Sequence, residues 1–182
     1  MELPRFRYHP DPIATGSVVL SDRECACCGA AKGYVYVGPV YAEEELDECI
    51  CPWCIADDSA HKKFDAEFVD AAGIGDYGSW EAVLPEVIEE IAFRTPCFNG
   101  WQQERWWTHC GDAAVFLGPA GWKELLSYGP EAVATFREEV GSGRYGMDTE
   151  AYLQALDRQH GPTAYVFRCS HCGKIGGYSD CH

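Results

Sequence analysis

The 182-residue sequence predicts an α+β fold. Three observations predict it. Short runs that mix aromatic and β-branched residues, at 34–37 and 163–168, read as strands. Longer runs carry apolar residues at helical spacing, as in Val87, Ile88, Ile91 and Ala92. Cysteines come as Cys-x-x-Cys pairs beside these elements, the pattern of metal-held modules. The length suits one domain spanning residues 1–182.

Taken in order, residues 1–21 are extended, because Pro4, Pro10 and Pro12 deny them a helix. Val18–Leu20 is a first strand and residues 34–37 a second, with Gly38-Pro39 turning the chain back towards Val40 and Tyr41. The acidic run at 43–48 is a solvated stretch. A helix starts at Pro52, a favoured first position, and runs over 52–63. Residues 71–79 hold three glycines and form a loop. The next helix covers 84–94, with Pro85 in its first turn and Thr95-Pro96 stopping it. Helices follow at 121–128 and 130–140, the latter with Ala132, Val133 and Phe136 on one face. Asp148 caps a last helix that carries Tyr152, Leu153 and Leu156 and ends at Gly161-Pro162. Thr163–Arg168 is a strand, and residues 175–179 pair back on it.

Composition narrows the function. Apolar residues make up 47% and charged residues 24%, the balance of a folded soluble protein. Fourteen basic against 29 acidic residues give a net charge of −15. Phosphate backbones repel such a chain, so nucleic acid is not an expected partner, whereas a basic protein surface is. The N-terminus has no secretory pattern, and no stretch approaches the ~18–20 apolar residues that span a bilayer. The expected location is the cytoplasm, where thiols stay reduced. Eleven cysteines there point to metal binding or thiol chemistry, not to disulfides.

Cys25 and Cys28, followed by Gly29, can fold two thiolates onto one ion, the glycine permitting the turn. Cys51 and Cys54 form the second pair, at the first turn of a predicted helix. Knuckle, hairpin, then helix with the second pair is the layout of a treble-clef-like zinc module over residues 22–64. The expected site is Cys25, Cys28, Cys51 and Cys54 around one Zn²⁺, closed and therefore structural. Cys51-Pro-Trp-Cys54 also has the form of a glutaredoxin pair, but the acidic run before it stands where that fold needs a strand. A zinc deaminase would need His-x-Glu, which the chain lacks.

Cys169 and Cys172, again followed by glycine, repeat the first knuckle in a C-terminal hairpin at 163–182. A second zinc is expected on Cys169, Cys172, Cys110 and either His109 or Cys181, with His182 beside the latter. Cys27, Cys49 and Cys97 are left without a role. The segment GWQQERWWTHCGDAAVFLG holds three of the six tryptophans. Its tryptophans suit a core, while Glu104, His109 and Asp112 are candidate proton-transfer groups of a metal-containing hydrolase.

The stretches YHPDPIATGS, CACCG with YVYVGPVY, CPWCIADDSAHKKFDAEF, RTPCFNGWQQERWWTHC and CSHCGKIGGYSDC resemble the CbrC family over nearly the whole chain. That resemblance implies a small bacterial cytoplasmic protein without an established activity, loosely linked to stress or bacteriocin tolerance. The leading expectation is a zinc-stabilised binding module whose acidic surface engages another protein. The alternative is the hydrolase around Glu104, His109 and Asp112.

Overall fold

The computed structural model describes residues 2–75 and 77–181. Its elements are β1 (Val18–Leu20), β2 (Tyr34–Tyr36), α1 (Pro52–Ala56), α2 (Ser59–Phe64) and α3 (Pro85–Arg94). Then come β3 (Thr108–His109), β4 (Asp112–Ala113), β5 (Val115–Ala120), α4 (Trp122–Ser127), α5 (Pro130–Val140) and α6 (Thr149–Gln154). Strands β6 (Thr163–Arg168) and β7 (Ile175–Asp180) close the chain. Among the described residues the strands form an antiparallel β1–β2 pair, a β3–β4 hairpin and an antiparallel β5–β6–β7 sheet. The architecture is α+β, and no described helix is long and apolar enough to cross a membrane.

Strand β6 organises the interior. Successive side chains of a strand point to opposite faces. Tyr165 and Phe167 therefore enter one apolar cluster, while Ala164 and Val166 enter another. Helices α4, α5 and α6 cover the second face through Leu125, Phe136, Tyr152 and Leu153. The first face carries an aromatic stack in which Phe98 lies 4.0 Å from Phe116 and Trp106 lies 5.6 Å from Phe167, between ring centroids. Burying each such phenylalanine contributes roughly 1.5–3 kcal/mol. Trp106 is fully buried, and its indole N–H donates to the Ala114 carbonyl at 2.9 Å. His9 sits beside this stack, with Nδ1 against the Pro96 carbonyl and Nε2 against the Thr15 hydroxyl. Burial lowers it to about 4, so it is a neutral core residue near pH 7.

Four segments differ from the sequence reading. The helix expected over 52–63 breaks at Asp58, which has φ 67°. Asp57 accepts from both the amide and the hydroxyl of Ser59, and such local bonds compete with a continuous helix. Residues after Gly38 do not return onto β2. Tyr41 instead exchanges both backbone hydrogen bonds with Glu67, and β2 bridges to Ile50. Gly38 serves the Tyr36 ring, since a Cβ there would lie 2.5 Å from the tyrosine hydroxyl. Helix α6 ends at Gln154, although Leu156 beyond it is still buried in the second cluster. Strands β3, β4 and β5 occupy the tryptophan segment, which lacks a clean alternation; β5 contains Gly118 and Pro119 and a register shift between Phe116 and Gly118.

Gly177 tests the packing of β7. Its φ is +148°, and an added Cβ would stand 1.9 Å from the Tyr165 carbonyl oxygen. Gly177→Ala is expected to cost about 3 kcal/mol or more, read from the denaturation midpoint. A midpoint equal to that of the native protein would show that β7 does not press on β6 in this way.

Candidate metal centres

The first knuckle grows out of the β1–β2 pair. The Gly29 amide donates to the Cys25 carbonyl at 2.7 Å and the Cys25 amide to the Ala30 carbonyl at 3.1 Å. Gly29, at φ 69°, closes this turn. Cys51 immediately precedes α1, and Pro52 fixes the first helical position, so Cys51 and Cys54 lie one turn apart on the side of the knuckle. The Ala26 amide donates to the Cys49 carbonyl at 2.8 Å and ties the two pairs together.

The four sulfurs converge. Cys25 Sγ lies 3.8 Å from Cys54 Sγ, Cys28 Sγ 3.9 Å from Cys51 Sγ, and Cys51 Sγ 3.5 Å from Cys54 Sγ. Sulfurs at ~2.3 Å around a tetrahedral ion would stand ~3.8 Å apart, so the group fits one ion. The Cys51 amide also donates to Cys25 Sγ at 3.2 Å. A hydrogen bond from Cys51 lowers Cys25 to about 4, and the same pairing pushes Cys51 far up. Burial raises Cys54 to about 12. Sulfurs this close repel one another once ionised, and a divalent cation among them offsets that repulsion. One nearby cation, Lys32, interacts favourably with negative charge on these four cysteines. Lys63 Nζ donates to the carbonyls of Ala26 and Cys27, and Lys32 lies over the Trp53 ring. Cys27 faces away, 3.6 Å from the Ser59 hydroxyl.

The second cluster joins residues sixty positions apart. Cys110 and Gly111 are the central residues of the β3–β4 hairpin, with φ 58° and 70°. Two such residues make a type I′ turn, which places His109 and Cys110 at its tip. Strand β5 follows at once and pairs with β6, Val115 opposite Arg168. The hairpin tip therefore meets the knuckle that begins one residue after β6. That knuckle repeats the first: the Cys169 amide donates to the Lys174 carbonyl at 2.9 Å and the Gly173 amide to the Cys169 carbonyl at 3.0 Å. His109 Nδ1 lies 3.2 Å from Cys110 Sγ and 3.5 Å from Cys172 Sγ. A nitrogen and a sulfur on one tetrahedral zinc would be ~3.6 Å apart. One ligand atom from each of His109, Cys110, Cys169 and Cys172 lies within 4.8 Å of the others. Partial loss of solvation and hydrogen bonds with its cysteine neighbours push Cys110 up to about 11, while the Lys174 amide holds Cys172 down.

Of the two fourth residues left open by the sequence, His109 joins this cluster. Cys181 does not; it is half-buried, and its carbonyl accepts from Gln102 Nε2 at 2.9 Å. His182 lies outside the described residues. The three candidate hydrolase groups do not converge. Glu104 is buried and accepts from the Gly100 amide and the Tyr41 hydroxyl. His109 faces the thiols. Asp112 Oδ1 accepts from the Tyr8 hydroxyl at 2.8 Å and the Ala113 amide at 2.9 Å. Its Oδ2 accepts from Arg7 at 2.7 Å and faces His171 Nε2 at 3.1 Å. Burial would raise Asp112, but these partners hold it below the usual carboxylate range. Asp112 thus clasps the N-terminal segment to the second knuckle. Arg7, Tyr8 and His171 in that role have no signature in the sequence, since no spacing links them.

Cys51 and Cys49 offer a matched comparison. A structural metal contributes on the order of 10 kcal/mol in isolated finger peptides. Cys51→Ser is expected to abolish cooperative unfolding near room temperature, while Cys49→Ser, at a half-buried thiol outside the cluster, should shift Tm only slightly. Equal melting of the two variants in zinc-containing buffer would contradict a metal role for the first cluster.

The family described as "Uncharacterised protein family (UPF0167)" matches residues 3–181. UPF0167 protein Mb2317 of Mycobacterium bovis is 48% identical over 180 residues, covering 98% of this chain and 94% of the relative. UPF0167 protein PA1536 of Pseudomonas aeruginosa is 40% identical over 173 residues, covering 94% and 93%. No solved structure matches the chain. With the match running from residue 3 to residue 181, the chain belongs to the UPF0167 family.

Proposed function

We propose that this is a zinc-stabilised binding protein, in which two structural Zn²⁺ ions hold the frame and an acidic surface engages a basic segment of another protein. The observation that carries this reading is the closure of both clusters, each offering four ligand atoms within 4.8 Å. Four protein ligands complete the tetrahedron that zinc prefers and leave no position for water or substrate. Thiolate and imidazole ligands suit zinc over hard cations such as Mg²⁺ or Ca²⁺. Residues 22–64 then form a treble-clef-like module and residues 163–182 a zinc-knuckle hairpin. None of the eleven cysteines is in a disulfide, which suits the reducing cytoplasm.

The acidic surface has a focus. Glu43, Glu44, Glu45, Asp47 and Glu48 are all exposed and lead directly into Cys51. A run of one sign, in a chain of net charge −15, steers a basic partner and repels phosphate backbones. Stress or bacteriocin tolerance is the setting that the CbrC resemblance suggests for such a protein.

Native mass spectrometry tests the metal half. The intact protein is expected to carry two zinc ions, and His109→Gln to retain one, because the first cluster is separate. A single ion in the intact protein, or two in the variant, would contradict it. Fluorescence anisotropy with an oligolysine peptide tests the partner half. Neutralising the five acidic residues to their amides should weaken binding by roughly tenfold or more and flatten its salt dependence. Equal binding by the neutralised variant would contradict the acidic surface as the docking face.

A further inference from the structure

A polar cleft lies between the tryptophan segment, the end of β7 and the turn after α5. It consists of a cavity of about 330 Å³ and an adjoining one of about 170 Å³, which share Tyr77, Gln103 and Arg105. Neither metal cluster contributes a residue to it. Most of its polar groups are already paired. Arg144 bonds the Glu139 carboxylate at 2.6 Å and the Ser179 carbonyl at 2.7 Å. Gln103 bonds Asp70, and Gln102 bonds the Cys181 carbonyl.

Two groups of opposite charge remain unmet. Asp180 is 6% exposed, and neither of its carboxylate oxygens makes a well-formed hydrogen bond, although the Tyr165 hydroxyl and the Gln102 and Trp101 amides stand close by. Arg105 Nη1 is buried without a partner as well. The Arg105 guanidinium lies 3.6 Å from the centroid of the Tyr77 ring, which holds its plane and leaves its edge for a ligand. Arg105 and Asp180 both line the larger cavity, yet make no ion pair with one another. A buried charge without a partner is costly, and natural interiors avoid it unless something else supplies the contact. Burial pushes Asp180 up to about 6, although the Tyr165 hydroxyl and the amides of Gln102 and Trp101 oppose the shift. Tyr77 and Tyr145, 46% and 57% exposed, line the larger cavity on its solvent side.

We infer that this cleft binds a small zwitterion, an α-amino acid, with its carboxylate on the Arg105 fork and its ammonium on Asp180. One unmet cation and one unmet anion in the same cavity match a molecule that carries both opposite charges a few atoms apart. Arg105 presents the planar edge that a carboxylate takes. A polyanion such as a nucleotide would meet Asp180, Glu139 and Glu104 as well as the net charge of the chain. The cavity volume accommodates a free amino acid with its side chain.

The test titrates the zinc-loaded protein with each standard amino acid in turn, by calorimetry and by thermal shift. Acetate, inorganic phosphate and methylammonium serve as single-charge controls. At least one amino acid is expected to bind and to raise Tm, while the controls do neither. Asp180→Asn and Arg105→Gln should each weaken that binding by roughly tenfold or more. On the native protein, the methyl ester and the N-acetyl form of the same amino acid should both fail to bind, which keeps the test valid even where a variant does not fold. The inference is overturned if no amino acid binds at millimolar concentration. It is equally overturned if the ester and the N-acetyl form bind as well as the parent, or if phosphate or acetate alone binds as tightly.

Discussion

Four thiols held in mutual contact cannot all carry charge unless a cation sits among them, and the N-terminal half of this protein is arranged around that constraint. Three of the four, Cys25, Cys51 and Cys54, are buried, and all four sulfurs lie within 4.8 Å of one another. Such a cluster gives little apolar packing for its volume, and each thiolate within it opposes the next. A divalent ion turns the same geometry from a liability into a staple. The chain around it is short on other support: β1 and β2 have three residues each and α1 has five. Elements of that size are marginal alone and depend on what they are tied to.

The C-terminal half solves the problem differently. Its second cluster is assembled by a sheet whose central strand, β6, is buried on both faces. The pairing of β5 with β6 carries the β3–β4 hairpin to the knuckle, and Asp112 fastens Arg7 and Tyr8 of the N-terminal segment at the same place. Cys110 and Cys172 are exposed here, whereas only Cys28 is exposed in the first cluster. Both clusters border one apolar core, which takes in Cys25, Cys51 and Cys54 of the first and Cys169 of the second. The two knuckles share one backbone pattern, in which the first cysteine's amide bonds five residues ahead and the glycine's amide bonds back to that cysteine.

What could be read from the sequence was local. The Cys-x-x-Cys-Gly knuckles, the helices at α3 and α5 and the strands β6 and β7 are each defined by near neighbours, through spacing, proline position or a buried apolar run. The break at Asp58 was missed because a two-residue side-chain contact overrides a good helical pattern. Strand β5 was missed because a bulge, Gly118 and Pro119 erase its alternation. The turn towards Tyr41 was misjudged because Gly38 makes room for an aromatic ring instead of reversing the chain. His109 over Cys181 could not be chosen from spacing, since the choice depends on the pairing of β5 with β6. The clasp at Asp112 and the cleft at Asp180 likewise consist of contacts between distant segments, which no periodicity encodes.

X-ray absorption at the zinc edge tests the central claim most directly, because it reads the ligands and not only the metal content. The two clusters together offer seven sulfurs and one imidazole nitrogen. The predicted spectrum is therefore dominated by Zn–S scattering at ~2.3 Å, with a minor nitrogen shell at ~2.0–2.1 Å. Zinc bound mainly through oxygen or nitrogen, or a water ligand on either ion, would contradict two closed structural sites.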